Sequence, residues 1–242
     1  MQMPRSTSQS PVLGMPVPNW SVPDAPQGIS LIGRYAELHL LDADLHGAAL
    51  FDAYSGHDQI WDYLPYGPFE TATEFKTWVK RTISAPIHQF YAIKNKESGV
   101  FEGVASYLRI DPANGSIEVG HINYSPALQR TRAGTEAMYL MMQNAFGIGF
   151  RRYEWKCNAL NLGSRRAAQR LGFSYEGVFR QATVSKGRNR DTAWFAIIDQ
   201  EWPALRRAFE TWLAPENFEQ GRQLTSLGDL TRTVRVTSDP LL

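Results

Sequence analysis

The chain has 242 residues, 43% hydrophobic and 12% aromatic, which is ample for one large core. A net charge of +1 implies no general affinity for nucleic acid or membrane, and neither is expected as a partner. The single Cys157 excludes an internal disulfide; with no apolar signal core and no run of transmembrane length, a cytoplasmic protein is expected.

Residues 1–28 are rich in Pro, Ser and Gln and read as an extended or poorly ordered arm. Leu31–Leu41 has the pattern of a first strand. Ala43–Tyr54 follows as a helix with Asp42 or Asp44 near its start. Gly56–Phe69 is an aromatic loop, broken by two prolines and Gly67. Thr71–Ser84 is a helix with Thr71 or Thr73 as N-cap.

Three strands follow: Gln89–Lys94, Val100–Ile110 and Ser116–Tyr124. The turn Asp111-Pro-Ala-Asn-Gly115 joins the last two, and Pro126 prevents the third from continuing. Arg132–Phe146 has a helical apolar stripe through Ala133, Ala137, Leu140, Met141 and Ala145. Tyr153–Asn158 alternates as a strand that buries Cys157 as a core thiol. Ser164–Leu171 is a short helix with Gly172 at C′. Tyr175–Val184 and Thr192–Ile198 form a hairpin around Lys186-Gly187-Arg188-Asn189. Glu201–Leu213 closes the domain, expected at 29–213, and 214–242 reads as a C-terminal tail. This order predicts a mixed α/β sheet with helices on both faces.

Charge is unevenly spread. Gln129–Arg190 carries 12 Lys/Arg against three acids, and the remainder carries 13 against 21. One half suits an anion and the other a cation. Two motifs give the anionic ligand a shape. Gln129-Arg130-Thr131-Arg132-Ala133-Gly134-Thr135 lies at a helix N-terminus, where backbone N–H groups and the helix dipole favour phosphate. Asn161-x-x-Ser164 places a polar pair at the mouth of a sheet, ahead of basic Arg165, Arg166 and Arg170, which face either a ribose phosphate or solvent.

These segments, with Leu171-Gly172-Phe173, resemble the GNAT acyltransferase superfamily in its RimJ/RimL-type branch, over about Ile29 to Leu213. The resemblance implies a GNAT fold: a mixed, mostly antiparallel sheet of about seven strands, splayed between strands four and five. It implies acetyl-CoA as co-substrate, without a metal, and an N-acetyltransferase with residues 129–135, Asn161 and Ser164 on the cofactor. The pattern Q/R-x-x-G-x-G/A is met at Gln129 and Gly134, but Arg132 stands where Gly is expected. Ser164 is the expected proton donor to the leaving thiolate, because Ala168 occupies the place where many relatives carry Tyr.

Glu118 is the first base candidate and Asp191 the second. The segment Glu118-Val-Gly-His121 resembles the branch's E-I/V-G-Y. Strict alternation would put Glu118 and His121 on opposite faces unless a bulge intervenes. Trp61, Tyr63 and Tyr66, with Asp62 and Phe69, suit an amine-bearing ligand. The ribosomal-protein members carry a Glu where this chain has Thr183, which favours a small amine or amino-acid-like acceptor over a peptide N-terminus. A non-catalytic acyl-CoA-binding module and RNA binding through the basic half are the other classes, and monomer and homodimer both remain open.

Overall fold

A computed structural model describes residues 13–85 and 88–242. The first 12 residues of the expected arm lie outside that range, and the described remainder has no regular structure, although Trp20 lies over the Arg151 guanidinium.

The expected first strand is two. β1 (Leu31–Ile32) and β2 (Ala36–Leu40) pair antiparallel around a turn in which the Gly33 N–H donates to the Ala36 carbonyl. The cause lies about a hundred residues away in sequence. The buried Glu136 carboxylate accepts the N–H groups of Arg34, Tyr35 and Ala36, so these groups are taken from any ladder. A Cβ at Gly33 would lie 2.3 Å from that carboxylate.

α1 (Ala43–Tyr54) is capped by Asp42, and α2 (Ala72–Ile83) by Thr71. Then come β3 (His88–Asn95), β4 (Phe101–Asp111), β5 (Ser116–Tyr124), α3 (Arg132–Ile148), β6 (Arg152–Asn158), α4 (Leu162–Arg170), β7 (Ser174–Ser185), β8 (Arg188–Ile198) and α5 (Trp202–Leu213). The sheet has eight strands in the order β1-β2-β3-β4-β5-β6-β8-β7. Every pairing is antiparallel except β5 with β6.

Alternation on the strands makes two cores. Tyr91 and Ile93 of β3 join α3 and α5 on one face, while Phe90 and Ala92 join Leu50, Tyr54, Phe75 and Trp78 of α1 and α2 on the other. Among the described residues, no helix is long and apolar enough to cross a membrane.

Residues 214–242, read as a tail, carry structure of their own. A two-stranded ribbon, β9 (Phe218–Glu219) with β10 (Arg222–Gln223), precedes α6 (Leu227–Arg232). Leu227 enters the main core, and Asp239 is buried against Arg165 of α4.

Candidate active site

The site forms where β5 and β6 part. Their parallel pairing runs from Ser116–Arg152 to Val119–Trp155 and stops. β6 continues along β8 to Asn158, while Gly120–Tyr124 stay with β4, which opens a wedge between the two strands. Backbone groups of β5 that point away from β4 in this stretch have no β6 partner.

β5 also carries a bulge. Ser106 pairs with Gly120 and Val104 with Asn123, so Ala105 faces two residues, and His121 has φ +49°. The extra residue resets the alternation. Ile117, Val119, Ile122 and Tyr124 pack toward α3, whereas Glu118 and His121 share the α1–α2 face. Strict alternation had separated these two side chains.

α3 begins at Arg132 with Thr131 as its cap, whose hydroxyl accepts the Gly134 N–H. Among the described residues, the Arg132 and Ala133 N–H groups have no protein acceptor. The substitution of Gly by Arg132 is tolerated because this residue is helical, and the positive φ (+62°) falls at Arg130. The Arg132 guanidinium lies 4.7 Å from both the Tyr35 and Phe218 ring centres. It is therefore drawn toward the turn after β1 and the C-terminal ribbon. Arg130 and Gln129 are exposed, and the Gln129 amide donates to the Tyr124 carbonyl. Gly134 is required for packing: an added Cβ would stand 2.7 Å from the Leu128 oxygen. Ala133 is buried, and Thr135 accepts a hydrogen bond from Arg170.

Across the wedge, α4 starts earlier than expected, and Asn161 is its N-cap, accepting the Ser164 N–H at 3.0 Å. Ser164 is thus inside the first turn, and its hydroxyl has another task. Its Oγ accepts the Trp155 indole N–H at 3.0 Å. It also lies beside Cys157, whose thiol is pushed up by burial and held back by the Ser164 hydrogen bond. Trp155 was not found from sequence, where it reads as an ordinary inward residue of an alternating strand.

The basic residues of α4 do not form an anion site together. Arg165 is buried in a bidentate pair with Asp239, both bonds 2.6 Å, and its Nη1 donates to the Ala159 carbonyl. Arg170 turns inward to Thr135 and the Trp212 ring. Arg166 remains exposed.

On the α1–α2 face, both Glu118 oxygens are engaged: Arg109 stands 2.7 Å from one and Lys156 2.8 Å from the other. Lys156 also meets Glu154 at 2.7 Å. Both oxygens thus face cations, and the buried Oε2 meets Lys156 as an ion pair without a hydrogen bond of its own. Asp191 is half-buried and accepts the Gln181 N–H and the Asn189 amide, which hold its carboxyl below the usual range; it braces the irregularity in β7 between Phe179 and Thr183. Thr183 is exposed opposite Arg190 on the hairpin.

The aromatic loop divides. Trp61 is buried among Tyr54, Phe69 and Phe75, so its expected place as an acceptor wall gives way to a core role. Tyr66 stacks on His121, with its hydroxyl 3.0 Å from Nδ1. Tyr63 is 40% exposed and reaches the Leu160 carbonyl. Lys186 from the β7–β8 hairpin donates to the Trp61 carbonyl, so the loop spans from β5 to that hairpin.

His121 is pushed down to about 4, first by burial and then by the charges of His88, Arg109 and Arg190. It is neutral at pH 7. The unfolded chain binds this proton below about pH 6.5 and the folded chain does not, so stability falls as pH drops from there toward 4. The expected loss is roughly 3 kcal/mol over that window. Urea unfolding of wild type and His121→Phe at several pH values checks it; parallel curves would remove His121 as the cause.

Among the described residues, no group of three His, Cys, Asp or Glu stands close enough to hold a metal ion.

Residues 37–174 match the family model described as an acetyltransferase (GNAT) domain. A GCN5-related N-acetyltransferase from Brucella melitensis is 44% identical, with TM-score 0.87 over 89% of this chain and 100% of its own. A probable acetyltransferase of the GNAT family from Chromobacterium violaceum is 42% identical, with TM-score 0.75 over 82% of this chain and 100% of its own. An uncharacterized N-acetyltransferase, YnaD of Bacillus subtilis, is 22% identical over 62% of this chain and 86% of its own.

Proposed function

From the premise that this chain belongs to the GNAT acetyltransferase family and is an N-acetyltransferase, we propose that it acetylates the primary amine of a small, amino-acid-like acceptor, by direct attack in a ternary complex with acetyl-CoA. The GNAT family uses acetyl-CoA as co-substrate. The observation that carries the reading is the wedge after Val119 and Trp155, with unpaired β5 backbone on one side and Ser164 on the other.

The residues present fit the co-substrate. The free N–H groups of Arg132 and Ala133 and the exposed Arg130 suit its pyrophosphate. Asn161 borders the pantetheine arm. N–H groups of the parted β5 segment stabilise charge on the thioester oxygen during attack. The Ser164 hydroxyl, polarised by the Trp155 N–H, donates to the departing thiolate. The amine proton leaves through a water relay that ends on Glu118, since both carboxylate oxygens already face cations.

The motifs Glu118-Val-Gly-His121 and Asn161-x-x-Ser164 support placement in the RimJ/RimL-type branch. Two contacts favour a small acceptor over a protein: Tyr63 to Leu160 and Lys186 to Trp61 draw the loop across the acceptor side. The unpaired, buried Cys157 supports a reducing, cytoplasmic setting.

An acetyl-CoA turnover screen against a diverse amine panel, run beside intact-mass analysis of peptides with ribosomal-protein N-termini, tests the reading. Turnover should favour the small amines. Preferential modification of the peptide N-termini would overturn the choice of acceptor.

A further inference from the structure

Arg190 is a half-buried cation without a salt-bridge partner among the described residues. Its Nε is fully buried with no hydrogen-bond partner there. The Trp194 indole N–H, four residues along β8, is likewise buried and unpartnered. A guanidinium N–H buried and left unpaired is costly, and such a group in a folded chain calls for a partner.

The neighbouring acids are already committed. Glu118 is held by Arg109 and Lys156, Glu154 by Lys156 and Arg152, and Glu176 by Arg152. Asp191 accepts the Gln181 N–H at the irregularity in β7. None of the described acids stands within ion-pair distance of Arg190, so a direct partner would come from outside the chain.

Its position says which anion. β8 pairs regularly with β6, Trp194 opposite Lys156 and Thr192 opposite Asn158. Residues 190, 192 and 194 thus share one face. Lys156 stands 3.8 Å above the Trp194 ring and reaches Glu118, so this face is the α1–α2 face, which also holds His121. α3, whose N-terminus suits the CoA phosphates, packs on the opposite face. Arg190 also lies just past the end of β6, where the Ala159 N–H donates to the Asp191 carbonyl, next to the turn that carries Asn161. The Phe179 ring, 57% exposed, lies 4.5 Å from the Trp194 ring and adds an apolar flank.

We propose that Arg190, with the Trp194 indole N–H, binds a carboxylate on the acceptor, so that this enzyme acetylates amines that also carry an acid group, amino acids among them. The inference rests on the acetyl-transfer reading. A planar carboxylate matches the guanidinium fork, and the Trp194 N–H adds a fixed donor.

Matched acceptors test it: phenylalanine, phenylalaninamide and phenethylamine, then leucine, leucinamide and isoamylamine. Wild type should prefer the carboxylate member over the amide by on the order of 10²-fold in kcat/KM, the size of a charge-assisted bond. Arg190→Gln should bring that ratio near unity and leave the KM for acetyl-CoA unchanged. Arg190→Lys, which keeps the charge, should retain part of the preference.

An indifferent wild type, or a preference that survives in Arg190→Gln, overturns the proposal. A raised KM for acetyl-CoA with the ratio intact also overturns it, since Arg190 would then serve the CoA phosphates. Calorimetry of CoA-loaded protein with N-acetylphenylalanine and N-acetylphenylalaninamide reads the same contact without turnover. Arg190-dependent binding of the acid alone supports the site even if no amine is acetylated, in which case the acetyl-transfer reading fails by itself. Equal binding of both sinks the site.

Discussion

Ser164→Ala should lower kcat by about 10²-fold, at the lower end for loss of a general acid, and leave the KM for acetyl-CoA nearly unchanged. The geometry makes this substitution unusually clean. Ser164 lies in the first turn of α4, but the cap is Asn161, which accepts the Ser164 backbone N–H and not its hydroxyl. Removing the hydroxyl therefore does not uncap the helix. What is lost is an oxygen that accepts the Trp155 N–H at 3.0 Å and whose proton, beside Cys157, turns to the leaving sulfur. A hydroxyl that already accepts a bond donates more strongly, so Trp155→Phe should act in the same direction with a smaller effect. Steady-state kinetics with acetyl-CoA and any accepted amine separates the outcomes. Equal losses in kcat and in CoA affinity would make Ser164 a packing residue.

Asp239→Ala should destabilise the fold by about 3–5 kcal/mol, the usual cost of leaving one partner of a buried ion pair alone. Asp239 is buried near the C-terminus, and Arg165 has 1% of its surface exposed. The neighbouring bonds make the pair a clasp. The Asp239 N–H donates to the Gln169 side chain, the Val236 N–H to Ser174, and the Thr231 hydroxyl to the Arg170 carbonyl. The last residues of the chain thus hold α4 and the start of β7 from outside. Arg165 also donates to the Ala159 carbonyl, just before Asn161, so loosening the clasp should raise the KM for acetyl-CoA as well. Arg165→Met combined with Asp239→Leu should recover most of the stability, because matched apolar side chains can replace a buried pair. Urea denaturation of the single and double variants measures this. A wild-type midpoint for Asp239→Ala would show that the clasp carries no load.

Local patterns made much of this legible. The caps at Asp42 and Thr71, the Gly172 stop and the hairpin at 111–115 are short-range signals, and each sits where its spacing suggests. What escaped was long-range. The split of the first strand comes from Glu136, distant in sequence, and nothing between residues 31 and 41 announces it. The bulge at His121 depends on how β4 meets β5, so alternation alone placed Glu118 and His121 on opposite faces. Charge counting grouped Arg165, Arg166 and Arg170 as one cationic helix. Burial then assigned two of them to protein partners, while Arg190 on another strand was left without one. Lys156 explains why Glu118 is a poor candidate for direct proton removal, and only the β5–β6 register brings the two together.

The most direct test of the account is release of free CoA thiol from acetyl-CoA by the purified full chain, with and without each amine of the panel, alongside calorimetric binding of CoA. CoA binding, an amine-dependent rise in thiol release and a matching N-acetylated product by mass are the expected results. CoA binding with thiol release that no amine raises above the water background would contradict the account.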